Sequence, residues 1–160
     1  MIRKQDFPDG QADGMEWSEM TPGERFLIRI SSEETAGAYA MLEMEADQGY
    51  GTPMHIYERN DAHFVIVAGE ARFAYGESTA SIPAGASLTV RKGIPHAWGN
   101  LSDGPLRMLV TFTPGGIDEL FRIIAKGGDI NFPALLERFG CPIVGPPVHA
   151  DIKPTSGRPA

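Results

Sequence analysis

The sequence predicts an all-β fold, a barrel or sandwich of many short strands, followed by two short helices near the C-terminus. Three observations carry this expectation. Glycine and proline are abundant, 19 and 13 in 160 residues, and they are scattered along the chain as punctuation between short segments. Turn signals between apolar runs recur at roughly the 8–12-residue spacing of sandwiches and barrels. After Pro114 the apolar period lengthens from two to that of an amphipathic helix.

Each element has its own local reason. Arg25 to Ile30 (RFLIRI) is a first strand. Ala38 to Ala46 (AYAMLEMEA) alternates, with Ala40, Leu42 and Met44 on one face and Tyr39, Met41 and Glu43 on the other. His63 to Ala68 (HFVIVA) is aromatic and β-branched, the strongest strand signal in the chain. Gly69-Glu70 then turns into Ala71 to Tyr75, and the pair is expected to form a hairpin. Further strands are expected at Thr79 to Pro83, Ser87 to Arg91, His96 to Gly99 and Leu106 to Thr113. In Gly115 to Lys126, residues Ile117, Leu120, Phe121 and Ile124 share one helical face. A second helix runs from Phe132 to Phe139, with Asn131 as N-cap, Pro133 in its first turn and Gly140 beyond its end. The expected divisions are an arm at 1–24, a β-barrel at 25–114, helices packed on it at 115–145 and an extended tail at 146–160. Met15-Glu16-Trp17 in the arm is suited to pack on a partner subunit.

Bulk properties exclude several functions. A chain of 160 residues can bury a core without disulfides, and its single Cys141 cannot form an intramolecular one. A net charge of −7 and a pI near 5.0 argue against a nucleic-acid partner. No apolar run approaches the ~18–20 residues of a membrane span, and no apolar stretch follows the basic residues at the N-terminus. The expected compartment is the cytoplasm.

The chemistry concentrates in two segments, GYGTPMHIYERNDAHFVIVAG at 49–69 and GASLTVRKGIPHAWGN at 85–100. Together they resemble the paired motifs of the cupin family, G-x5-H-x-H-x(3,4)-E-x6-G and G-x5-P-x-G-x2-H-x3-N. Gly49, His55 and Gly69 match the first, and Gly85, Gly93, His96 and Asn100 the second, with Arg91 in place of the proline. The resemblance implies a cupin barrel (a double-stranded β-helix or jelly roll) built around a metal or a small ligand. The closing GCPIVGPPV is similar to the tail of small single-domain cupins of quercetinase-like type.

The family's metal cage is three His and one Glu, able to hold Fe, Mn, Ni, Cu or Zn. In this chain two of those positions are His55 and His96, and the other two are Tyr57 and Ala62. Tyrosine ligates as a phenolate, and its ordinary pKa of about 10 opposes that near neutrality. The metal set is therefore His55 and His96, with His63 as the candidate third donor and Glu58 and Asp61 nearby. Strand alternation turns His63 away from the face of Ala62 and Phe64 unless a bulge intervenes.

Three functions stay open. One is a metal-dependent dioxygenase or related oxidoreductase acting on a small aromatic or flavonoid-like compound, with Tyr57 orienting substrate or donating a proton. Phe64, Ile66, Trp98, Met108 and Phe112 would line its cavity. The second is a metal-free cupin that binds a small apolar ligand as sensor or carrier. The third is a metal-independent isomerase or cyclase using His and Tyr as base and acid. By resemblance to small cupins, the chain is expected to pair as a homodimer.

Overall fold

The computed structural model describes residues 17–148. Residues 1–16 of the expected arm and 149–160 of the tail, including His149, lie outside that range. Two antiparallel sheets enclose one core. The first has the order β1 (Ser18–Thr21), β2 (Glu24–Ile30), β3 (Ala40–Ala46), β10 (Leu106–Thr113), β5 (Asp61–Ala68), β8 (Ser87–Val90). The second runs β11 (Ile143–Pro147), β4 (Pro53–His55), β9 (His96–Asn100), β6 (Glu70–Tyr75), β7 (Ser78–Pro83). The helices are α1 (Asp118–Lys126) and α2 (Phe132–Arg138). This is the expected all-β barrel with two short C-terminal helices.

The alternation expected for 38–46 is realised in β3. Ala40, Leu42, Met44 and Ala46 are buried in the core. Glu43, on the opposite face, ion-pairs with Arg29 of β2 and with Arg107 of β10 at 3.0 Å. These cross-strand charges hold β2 to β3 and β10 on the outer surface while the apolar faces meet inside. Trp17, from the expected partner-contacting triplet, lies 5.8 Å from the guanidinium of Arg107 in its own chain.

One local expectation fails. β5 and β6 do not form a hairpin: β5 pairs with β10 and β8 in the first sheet, β6 with β7 and β9 in the second. Gly69 stands at the crossing from one sheet to the other. Its φ is +78°, and a Cβ there would come within 2.6 Å of the Pro105 carbonyl oxygen. The chain needs glycine there to leave one sheet and pass close under the next loop. The hairpin is β6–β7 instead, turning at Gly76-Glu77.

Two elements were not expected as strands. Residues 18–21, from the arm, pair with β2, and residues 143–147, spanning the end of the expected helical region and the start of the tail, pair with β4. β11 carries Pro146 and Pro147 and forms the outer edge of its sheet, where a missing N–H is tolerated.

The helices close one side of the barrel. α1 buries Leu120, Phe121 and Ile124, and Phe121 meets Phe26 edge-on at 5.1 Å. Burial of such a ring contributes roughly 2–3 kcal/mol. Asp118 secures the helix start by accepting hydrogen bonds from the Ser32 amide (2.9 Å) and hydroxyl. α2 is capped as expected, the Asn131 side-chain oxygen accepting from the Ala134 amide at 3.1 Å.

Asn100 joins β9 to β3. It is fully buried, its amide donates to the carbonyls of Ala46 (3.0 Å) and Gly104 (2.7 Å), and its oxygen accepts from the Ser102 amide (3.1 Å). Asn100→Ala leaves those carbonyls without their donor and should cost about 2–4 kcal/mol. Urea unfolding measures this, and a loss below about 1 kcal/mol would show that the side chain is not a structural tie.

Candidate functional site

The site begins with a single strand pairing. β4 is three residues long, and its last residue, His55, is in register with His96, the first of β9. Opposed residues in an antiparallel pair place their side chains side by side. The two imidazoles accordingly lie 4.2 Å apart, tilted by 54°. Tyr57 completes the cluster, its ring 5.0 Å from His55 and 4.9 Å from His96. Phe112 backs the tyrosine at 5.2 Å, edge-on.

Each histidine is locked in one tautomer. Nδ1 of His55 lies 2.7 Å from the Pro53 carbonyl, and Nδ1 of His96 lies 3.0 Å from that of Ile94. A carbonyl only accepts, so each Nδ1 carries the proton and each Nε2 is left as a bare acceptor. Nε2 of His96 is buried and has no hydrogen-bond partner among the described residues.

Burial sets the charge state. Desolvation pushes His55 down to about 3, the neighbouring His96 adds to the shift, and the Pro53 carbonyl opposes it. His96 is lowered too, again chiefly by desolvation and against its bond to Ile94. The Tyr57 phenol is raised by burial, with Cys141 contributing, so it stays protonated. Burial likewise pushes the Cys141 thiol up to about 12. At pH 7 the cluster is neutral throughout.

A cavity of about 300 Å³ opens beside it. His55, Tyr57 and Trp98 form one wall, and Phe121, Leu136 and Ile143 of the C-terminal segment form another. Its lining is almost entirely apolar. One exception is Glu24, a carboxyl whose burial raises it to about 7, against hydrogen bonds from the Gly51 backbone and the Thr21 side chain.

The structure thus brings together His55, His96 and Tyr57, and it places Trp98 on the cavity wall. It does not bring the others there. Phe64, Ile66, Met108 and Phe112 are at most 1% exposed and fill the closed core. Phe64 stacks edge-on to Phe73 at 5.0 Å, so this region of the barrel is packed solid, and the cavity lies instead toward β1, β2 and the helices. His63 faces outward, as alternation required. Its Nδ1 lies 3.0 Å from the Thr89 hydroxyl and its Nε2 2.9 Å from that of Thr113, which removes it from the imidazole pair. Asp61 also points outward, accepting from the Lys92 amide at 2.8 Å and pairing with Arg91 at 3.4 Å. Glu58 is exposed.

Sequence reasoning missed Glu24, Cys141 and the helical wall. A glutamate opening the apolar run RFLIRI reads as a surface residue, and only the fold buries it. The wall had a partial signal, since the apolar face of α1 has to cover something.

Residues 42–112 match the cupin-domain family model Cupin_2. Over that stretch the chain is similar to cupin domains. Solved structures agree on the fold. KdgF from a Halomonas species aligns with a TM-score of 0.59 at 17% identity, covering 65% of this chain and 90% of that one. The cupin domain of Cnp3 from Schizosaccharomyces pombe gives 0.56 at 17% identity, covering 72% and 77%. Oxalate decarboxylase from Bacillus subtilis, which has Mn(II) centres, gives 0.57 at 19% identity, covering 63% of this chain and 28% of that one. At these identities the likeness extends to the fold alone. No curated protein sequence matches the chain.

The donors in this protein do not fit the metal cage of the cupin pattern. Among the described residues no group of three or more His, Cys, Asp or Glu side chains converges on a point. Two imidazole nitrogens remain, beside a phenol that burial keeps protonated, whereas catalytic metals are ordinarily held by three protein ligands.

The buried groups make stability depend on pH in opposing ways. Glu24 is raised from 4.5 to about 7, so the folded state binds the extra proton between those values and stability falls as pH rises through them. His55 is lowered from 6.5 to about 3, so there the unfolded state binds the extra proton and stability rises with pH. The slopes oppose each other from 4.5 to 6.5. Glu24→Gln should expose the histidine slope, so that acidification across this window costs about 1 kcal/mol per pH unit more than in wild type. Urea unfolding at stepped pH checks this, and parallel wild-type and variant profiles would refute it.

Proposed function

We propose that this protein is a metal-independent cupin that binds a small apolar or aromatic molecule. The guest occupies the cavity and presents one polar group to His55 and Tyr57, with His96 behind them. The supporting observation is the His55 imidazole, its Nε2 left as an acceptor on the wall of an apolar cavity, with the unpaired Nε2 of His96 buried behind it. An unpaired buried acceptor costs roughly 1–3 kcal/mol, and a guest that donates a hydrogen bond removes that cost.

The same burial argues against proton transfer as the main task. A histidine whose pKa sits near 3 is a weak base at pH 7, and a phenol raised above its ordinary value is a weak acid. General acid–base catalysis works best with groups that titrate near the working pH. The isomerase and dioxygenase readings therefore rank below binding.

Two measurements test this. Protein incubated with Fe, Mn, Ni, Cu or Zn and then desalted should retain well under one metal per chain. A stoichiometric metal that His96→Ala removes would overturn the reading. In calorimetric titration 1-naphthol should bind about 5–10-fold more tightly than naphthalene, and His55→Leu should abolish the difference. Equal binding of the two probes to wild type would show that the cluster recognises nothing.

A further inference from the structure

The binding reading describes one end of the cavity. A buried carboxyl on its wall, Glu24, has no part in it, and its position can be stated relative to His55. Glu24 and Gly51 line the same cavity. Gly51 is bridged to Gly99 of β9, and His55 is paired with His96 of the same strand. Those partners are three residues apart, so the two pairs are separated by about 10 Å along the sheet. The Glu24 carboxyl and the His55 imidazole are therefore two poles of one cavity.

Between them the wall is mostly apolar, with Phe26, Met44, Trp98 and Phe121 beside Thr52. Gly51 is what brings the poles into one wall. A Cβ there would fall 2.2 Å from the Trp98 carbonyl oxygen and 2.5 Å from Gly99 Cα, so no other residue lets the chain lie this close to β9. Glu24 is only 8% exposed, and among the described residues no ion pair engages it. A carboxyl taken out of water without a cation is unfavourable unless something donates hydrogen bonds to it. Thr21 and Gly51 supply part of that need and leave acceptor capacity for a guest.

We propose that the cavity takes an elongated, mostly apolar molecule bearing a hydrogen-bonding group at each end, one received by His55 and Tyr57 and the other by Glu24. Two linked aromatic rings with a terminal hydroxyl on each suit the span between the poles. The proposal rests on the binding reading above and adds the length and polarity of the guest.

The test compares 4-hydroxybiphenyl with 4,4′-dihydroxybiphenyl by isothermal titration calorimetry at pH 8. Wild type should bind the diol about 10-fold more tightly than the mono-ol, the gain expected of one hydrogen bond to a charged group. In Glu24→Leu the ratio should fall close to one. In Glu24→Gln, which keeps shape and neutral acceptor capacity, it should settle at an intermediate value, and this variant carries the test if Glu24→Leu does not fold. If wild type binds both probes with equal affinity, or if the ratio survives in both variants, the second pole is refuted and the binding reading stands. If folded wild type binds neither probe, both fall.

Discussion

The site depends on how β4 is held. A three-residue strand has too few ladder hydrogen bonds to keep its own place, and β4 meets β9 in register only at the His55–His96 pair. Its other edge is held by β11, and the backbone beyond it by bonds from Ile56 N to Pro142 O at 3.1 Å and from Glu58 N to Gly140 O at 2.8 Å. The segment that follows the helices thus fixes the strand that carries His55. The same segment supplies Cys141 and Ile143 to the cavity, beside Leu136 of α2. Position of the histidine, closure of the cavity and desolvation of the cluster are three results of one arrangement. Opening the C-terminal segment would release all three together.

Desolvation then decides what the cluster can do. In water a His–His–Tyr group would titrate near neutrality and exchange protons readily. Here a carbonyl on each Nδ1 fixes the tautomer, and the apolar surroundings and, at His55, the second ring penalise the charged forms by more than those carbonyls favour them. Such a group is a fixed array of acceptors. Fixed acceptors in an apolar pocket recognise a donor well, because nothing has to be reorganised when the guest arrives. Glu24 follows the same logic at the other pole, where burial, not a neighbouring charge, sets its state.

Most of the fold was legible in the residues, and the failures are informative. Alternation located β3, β5 and β10 because one face of each strand is buried, and the helical period located α1 because it covers the core. The β5–β6 hairpin was misjudged because a glycine turn is compatible both with reversal inside a sheet and with passage between sheets. Local sequence does not say which strands pair. β11 was invisible because its prolines suit coil as well as an edge strand. At the site, alternation placed His63 outward and Ala62 and Phe64 inward, which the structure repeats. It could not say which part of the interior is filled and which is hollow, since that depends on the summed volumes of side chains from both sheets. Phe64, Ile66, Met108 and Phe112 were therefore assigned to a cavity when they are core.

Tyr57 and Ala62, the two departures from the family's ligand pattern, are physically one change. Ala62 of β5 is in register with Phe112 of β10, and it is fully buried. Phe112 in turn meets Tyr57 edge-on and lies 6.2 Å from Phe121 of α1. A longer side chain at 62 would compete with the Phe112 ring for interior volume, and a charged one would add an unpaired carboxylate to this apolar stack. A small residue at 62 lets Phe112 settle, and Phe112 then gives Tyr57 an aromatic surface to pack on. Restoring a carboxylate at 62 alone would meet a space already filled by rings, and restoring histidine at 57 alone would remove the ring that fills it. The interior is packed through aromatic contacts that run from the barrel core through Tyr57 and Phe121 to the cavity wall. Such an interior favours an apolar guest over an ion.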